Sequence, residues 1–431
     1  MPDCDQKQVY MARSRDILRE PDFLFLWLGQ IISQFGDKLI MMALVGLVSN
    51  KTPGSAYEMA KLFSFVVIPV FLIGPIAGVY SDRWSRKWTM IISDCVRGLL
   101  VMAIAAYWIL VPSLKPLFPV YILVFLIFTV TRFFIPAKMA IVPELLTEDK
   151  ILKGNSLLHI TGMIASAIGF GMGGIMISSP LIGVKGGLLI DAATFFLSAA
   201  LLTFVSGSGR LFIGKKVSLR LGKNAGKPLR QSVFGDIKYG IKHIIDQPRM
   251  HLVAGLLFIL ASGVGASQVV LIVFIQDSLA SVTRDLGLLI MFFGIGLFAG
   301  AIVYGKLGDK LPRIKVVLLS LLLGGVFLLQ FLVLLRMFSN FTLAAVITFF
   351  FGAAISPIII SSNTMVHELI PEDAHGRVFS SLEAVVHLAY LIFMFVSAIL
   401  AEAIGTFNIL LIVGVVFVLV GLTGTRRLKI V

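Results

Sequence analysis

Asp37 stands midway along an apolar run, preceded by Gln34, Ser33 and Gln30. These four occupy positions i, i+3, i+4 and i+7, one face of a helix. A polar stripe on an otherwise apolar helix is expected to line a water-filled cavity. An acid placed there can exchange a proton or contact a solute. Lys38 follows about 100° further round the helix and is expected to reach toward a neighbouring helix. Asp94 and Arg97 are three residues apart, close enough to pair. With Arg132 they are expected to form a buried polar network on the cytoplasmic half. Glu383 and His387 are four apart, and a histidine titrating near pH 6.5 can carry protons. A plain structural hydrogen bond is the competing reading of that pair. Together Gln30, Ser33, Gln34, Asp37, Asp94, Arg97, Arg132, Glu383 and His387 make the expected substrate and proton pathway. Asp191, with Thr194 and Ser198 on its face, reads as a helix-start residue near the outer interface.

Other chemistries find no support. There is no phosphate-binding glycine loop followed by Lys and Ser or Thr, no nucleophile constellation and no metal-ligand cluster. Cys4 and Cys95 cannot build a disulfide framework. The chain is not expected to be an enzyme, and neither a cofactor nor a metal is expected.

The elements that must hold these residues follow from composition. Of 431 residues 58% are hydrophobic and only 14% charged, with a mean hydropathy of +0.97. A soluble domain carries about 25% charged residues, so this chain belongs in a bilayer. Apolar runs predict helices over 23–49, 60–80, 88–111, 117–137, 155–178 and 186–205. Six more are predicted over 250–276, 286–307, 315–337, 340–362, 378–400 and 404–424. The fold class expected is all-α: twelve transmembrane helices. The domains are a cytoplasmic N-terminal segment (1–22), a six-helix bundle (23–205), a basic cytoplasmic linker (206–248), a second bundle (250–424) and a tail (425–431). With both termini inside, the inner segments hold 28 of the 37 Lys and Arg. That asymmetry fixes the orientation and accounts for the formal charge of +14 without nucleic acid. In the linker Phe234, Ile237, Ile241, Ile244 and Ile245 recur at helical spacing, as in an amphipathic helix lying on the membrane surface.

The chain repeats itself. "GVYSDRWSRKW", Gly78 to Trp88, is echoed by "GKLGDKLPRIK", Gly305 to Lys315, at an offset of 227 residues. "VPELLTED", Val142 to Asp149, is echoed by "VHELIPED", Val366 to Asp373, at an offset of 224. The two echoes fall in the same order at equivalent cytoplasmic loops. They predict a duplicated six-helix unit, and two such bundles around a midplane site are the architecture of alternating access.

These motifs resemble the major facilitator superfamily. Its loop 2–3 motif is Gly-x-x-x-Asp-Arg-x-Gly-Arg-Lys. The chain supplies Gly78, Asp82, Arg83, Arg86 and Lys87, with Ser85 at the second Gly. The second copy supplies Gly305, Asp309, Lys310 and Arg313, with Pro312 at the Gly position. "SQFGD", "SDCVRGLL", "IDAATFFLSAALL" and "IPEDAHGRVFSS" are similar to a branch of bacterial exporters akin to enterobactin and macrolide efflux proteins. In helix 5, Gly169, Gly173 and Gly174 resemble the antiporter motif, with Phe170 in place of its proline. The resemblance implies close helix packing at these glycines, and a conformational gate at Gly78, Asp82, Arg83, Arg86, Lys87, Gly305, Asp309 and Arg313. Within that gate Asp82 with Arg86 is expected to latch one state. The function implied is a monomeric secondary transporter in the bacterial inner membrane, exporting a small amphipathic solute in exchange for protons. A lysophospholipid transporter or a solute importer of the same fold is the alternative. A non-transporting receptor or scaffold is the alternative of another class. The partners expected are the solute, protons and membrane lipids.

Overall fold

The computed structural model describes residues 17–81, 84–110, 116–206, 240–279, 281–308, 312–370 and 375–427. Twelve of its helices are long and apolar enough to cross a membrane. They are α1 (Pro21–Lys51), α2 (Ala56–Ser81), α3 (Arg86–Leu110), α4 (Phe118–Leu145), α5 (Glu148–Ser178) and α6 (Gly183–Thr203). The second series is α7 (Pro248–Ser278), α8 (Arg284–Leu307), α9 (Arg313–Phe338), α10 (Phe341–Leu369), α11 (His375–Ile404) and α12 (Thr406–Arg427). The protein is a multi-pass, all-helical membrane protein.

Every expected span is present, and several run further than the hydropathy suggested. Apolarity marks only the stretch that lipid must cover. A formed helix continues past it because each added residue gains a hydrogen bond without a new nucleus. Thus α4 ends at Leu145 and α5 starts at Glu148. "VPELLTED" is therefore the end of one helix and the start of the next, with only Leu146 and Thr147 between them, not a loop. Glu148 and Asp149 favour that start by sitting at the positive end of the α5 dipole. Pro136 and Pro143 lie inside α4. The α5–α6 and α11–α12 turns are closed by Gly183 and Gly405, at φ of 59° and 87°. Left-handed backbone there lets the chain reverse at once. Of the linker's expected amphipathic helix, Phe234 and Ile237 lie outside the described residues. A helical stretch covers 240–246; along it Ile244 is buried while Ile241 and Ile245 are exposed.

The chain divides into two compact units. The first holds residues up to Pro53, Lys61–Lys215 and Ser281–Met291; the second holds Gly54–Ala60, Lys216–Ala280 and Phe292 onward. Within the first, α1 packs on α5 and α6, and α3 on α4 and α6. Within the second, α7 packs on α11 and α12, and α9 on α10 and α12. Adding six to each helix number of the first set gives the second, so the repeat seen in two short motifs extends to the whole packing plan.

Backbone-to-backbone closeness holds both units. In the second, Gly296 and Gly300 of α8 face the main chain of Phe349 and Ala353 on α10, and Gly352 faces that of Phe293. In the first, Gly169 and Gly173 face Phe35, Lys38 and Leu39 of α1. Gly174 lies against the main chain of Thr283, Arg284 and Gly287, at the start of α8. The small residues of helix 5 thus serve close packing on two sides. Gly305 differs: among the described residues a Cβ there would meet nothing within 4 Å, so close packing against them does not explain that glycine.

Candidate functional site: a charged cluster inside the first unit

Arg97 is the centre of the first unit's interior. It leaves α3 about 16 Å from the helix's cytoplasmic start, at 1.5 Å per residue, and is 1% exposed. Nη2 donates to Asp94 Oδ1, one turn back on the same helix. The other Asp94 oxygen accepts the Ser198 hydroxyl of α6 at 2.7 Å. The guanidinium is stacked between the rings of Phe134 on α4 and Phe195 on α6, 4.5 and 4.4 Å from their centroids. Both aromatic faces attract the cation where water cannot compete. A charge buried in this way needs its partner: removing one member of such a pair costs about 3–5 kcal/mol.

Asp37 approaches from α1. Its Oδ1 lies 3.5 Å from Arg97 Nη1, and its side chain keeps 34% of its exposure. Arg132 and Lys138 of α4 act on the same carboxylate. Asp37 thus contacts one cation, Arg97, and feels the charge of two more, while Asp94 and Asp191 are both fully buried. Three acids and three bases share one interior. Lys38 turns away from this set, with its ammonium 5.5 Å from the Phe170 ring centre on α5.

The helix 1 stripe is divided. Gln30 and Ser33 are 2% exposed, packed inside the bundle instead of lining open water. Gln34 lies against Gly162 of α5, whose missing side chain makes the room. Asp37 alone of the four reaches the charged cluster. Arg132, expected in the network with Asp94 and Arg97, is linked to the cluster by its charge acting on Asp37, and among the described residues its Nε is buried without a hydrogen-bond partner. On α11, His387 Nδ1 bonds the main-chain oxygen of Glu383 at 2.8 Å, and the Glu383 side chain is exposed.

Two contributors were not legible in the sequence. Lys138 lies one residue past the predicted span 117–137, and nothing in its spacing singles it out. Asp191 reads as a helix-start residue, but α6 begins at Gly183 and carries Asp191 into the packed interior against Gly36 of α1. The available signal was the spacing of Asp191, Thr194 and Ser198, which puts Asp191 on the face that meets Asp94.

Within each unit the two repeated motifs meet at one end of the bundle. Arg86 Nη1 donates to the Ala140 main-chain oxygen at 2.6 Å and pairs with Glu144 at 2.9 Å. In the second unit Arg313 pairs with Glu368. These are the same motif positions at the same offsets. Lys87 Nζ donates to the main-chain oxygens of Thr203 and Val205, at 2.7 and 2.6 Å, closing the end of α6. Asp82, Arg83 and Asp309 lie outside the described residues, and so does the expected Asp82–Arg86 contact. The partners of Arg86 that are described belong to α4.

Residues 26–276 and 253–428 match the family model of the Major Facilitator Superfamily. The chain belongs to this superfamily. Among Major Facilitator Superfamily relatives it is 26% identical over 401 residues to the transporter YfiS of Bacillus subtilis (strain 168), spanning 91% of this chain and 90% of that one. It is 24% identical over 411 residues to macrolide efflux protein A of Streptococcus pyogenes, spanning 93% and 94%. The fold is similar to that of the nucleoside transporter NupG, with a TM-score of 0.68 at 12% identity over 95% of this chain and 99% of that one. Superfamily membership makes the protein a membrane transporter with a small-molecule substrate, working in a lipid environment.

Proposed function

We propose that the protein is a secondary active transporter that exports a small amphipathic solute in exchange for protons, by alternating access, as a monomer in the cytoplasmic membrane of a bacterium. The observation that carries this reading is the position of Asp37. It is the partly open acid of a buried cluster, in contact with Arg97 of α3 and under the charge of Arg132 and Lys138 of α4. A proton on Asp37 cancels the charge that Arg97, Arg132 and Lys138 act on. A polar or cationic group of a solute that reaches Asp37 competes for the same carboxylate. One acid that serves either the proton or the solute is a sufficient basis for exchange. Export is supported by the likeness to macrolide efflux protein A over nearly the whole chain. An amphipathic solute is supported by the aromatic residues around the charges.

The test uses the full-length protein in liposomes under an imposed pH gradient, with a panel of macrolides, siderophores, cationic dyes and lysolipids. Wild-type protein should move at least one of these with the gradient. Asp37→Asn should lose gradient-driven movement with insertion and thermal stability unchanged. Transport that ignores the gradient, or that survives in Asp37→Asn, overturns the reading.

A further inference from the structure

Asp191 has no part in the scheme above. It is fully buried within α6, and among the described residues neither carboxylate oxygen has a hydrogen-bond partner. Gly36 of α1 lies directly on it: a Cβ at that position would stand 2.5 Å from Asp191 Oδ1. Thr194 is one turn on, but its hydroxyl donates to the main-chain oxygen of Asp191, at 2.7 Å. The charged groups that act on Asp191 are Asp37 from α1 and Arg97 from α3. α5 also packs on α6, and its charged residues, Glu148 to Lys153, lie at its cytoplasmic end.

Arg97 has the complementary defect. Two of its nitrogens bond Asp94 and Asp37, while Nε is buried without a partner. A carboxylate without a donor and a guanidinium N–H without an acceptor are each costly in a low-dielectric interior. Here they occur in one cluster, each within the field of the other. A neutral carboxyl fits the site of Asp191 as it stands, and a carboxylate fits it only once Arg97 turns.

We propose that Asp191 is a second proton-binding residue of this transporter, alternating with Asp37 as the acid that engages Arg97. The proposal rests on the proton-coupled reading above. In the arrangement seen, Asp191 holds its proton as a carboxyl O–H, and Arg97 is shared by Asp94 and Asp37. In the exchanged arrangement that proton has passed to the Asp37 carboxylate. The O–H bond at Asp191 breaks and one forms at Asp37, and Arg97 turns its free N–H to the new carboxylate at Asp191. The cluster keeps the same net charge during this internal transfer and loses one positive charge only when the proton leaves. Asp37, open on one side, then releases the proton to water. Gly36 is the residue that lets the two acids share this space.

Infrared difference spectroscopy of the full-length protein in lipid nanodiscs tests this without a solute. Wild-type protein at neutral pH should show a protonated-carboxyl band that Asp191→Asn lacks. Asp191→Glu should shift that band instead of removing it, which guards against a variant that simply misfolds. Asp37→Asn frees Arg97 to engage Asp191, so the Asp191 band should be lost there as well. A wild-type spectrum without the band, or a band indifferent to Asp37→Asn, overturns the proposal. The liposome experiment fails separately: these bands in a protein whose transport ignores the gradient would remove proton coupling and leave the alternating pair standing.

Discussion

The two halves of the chain share a packing plan and differ in what fills it. At the offset of 227 residues, Asp94 and Arg97 of the first half become Leu321 and Gly324 of the second. Leu321 is 1% exposed, as deeply buried as the ion pair it replaces. The second interior carries neutral polar groups. Tyr390 of α11 donates to Gln268 of α7, and Ser361 of α10 donates to the Tyr304 hydroxyl of α8 at 2.8 Å. Leu and Gly at the second-half positions show that the packing plan does not require the charges. On the proposed function, their cost in the first half is offset by their part in coupling, and the comparison between halves is a test of that reading.

Exchanging residues between the halves breaks this comparison most severely. Arg97→Met should destabilise the protein by about 3–5 kcal/mol, because Asp94 is left buried and unpaired. Thermal unfolding in detergent would measure it. The double variant Asp94→Leu with Arg97→Gly carries the second half's residues. It should recover most of the lost stability and still fail in gradient-driven transport. A double variant that transports would place the chemistry elsewhere.

The repeat itself was legible from two short motifs because each holds charges at fixed spacing in a greasy chain. Asp37 and the Asp94–Arg97 pair were legible for the same reason. Gly36, Gly98 and Gly162 were not, since a glycine announces nothing until another helix presents a side chain to it. Gly98 sets the Phe196 ring on α3, and Gly36 makes room for Asp191. Phe134 and Phe195 were hidden among the 34 phenylalanines of the chain; only the crossing of α3, α4 and α6 singles them out. The pairing of Arg86 with Glu144 joins two motifs that the sequence presents separately. Helix ends past the lipid were missed because hydropathy reports on lipid and not on hydrogen bonding.

Glycine packing sharpens the comparison next, because here the halves should behave alike. Gly296→Ala in the second half drives a methyl into the Phe349 main chain, and Gly174→Ala in the first drives one into that of Thr283. Overpacking of this kind costs about 1–3 kcal/mol, and unfolding midpoints should fall in both. Gly305→Ala meets open space and should stay within about 0.5 kcal/mol of wild type. Tyr390→Phe comes next in size. It removes one neutral hydrogen bond and should cost about 1 kcal/mol, with gradient coupling intact. Loss of coupling in Tyr390→Phe would mean that the second interior also carries protons.

The smallest effect should come from the ion pairs that the halves share. Arg86–Glu144 and Arg313–Glu368 are each one-third to one-half exposed, where a pair contributes about 0.2–1 kcal/mol. Arg86→Ala should cost slightly more than Arg313→Ala, because Arg86 also holds the Ala140 main-chain oxygen. Double-mutant cycles with Glu144→Ala and Glu368→Ala would isolate the two coupling energies, and both should shrink as salt is raised. Stability is the wrong place to look for the purpose of such weak contacts. Each ties the start of an odd helix to the end of the next, α3 to α4 and α9 to α10, so the rate of transport is the readout that distinguishes a latch from a surface ion pair. If the cycles give small coupling energies while single variants slow transport severalfold, the repeated pairs act as kinetic latches. If transport follows stability alone, they are surface ion pairs that duplication carried into both halves.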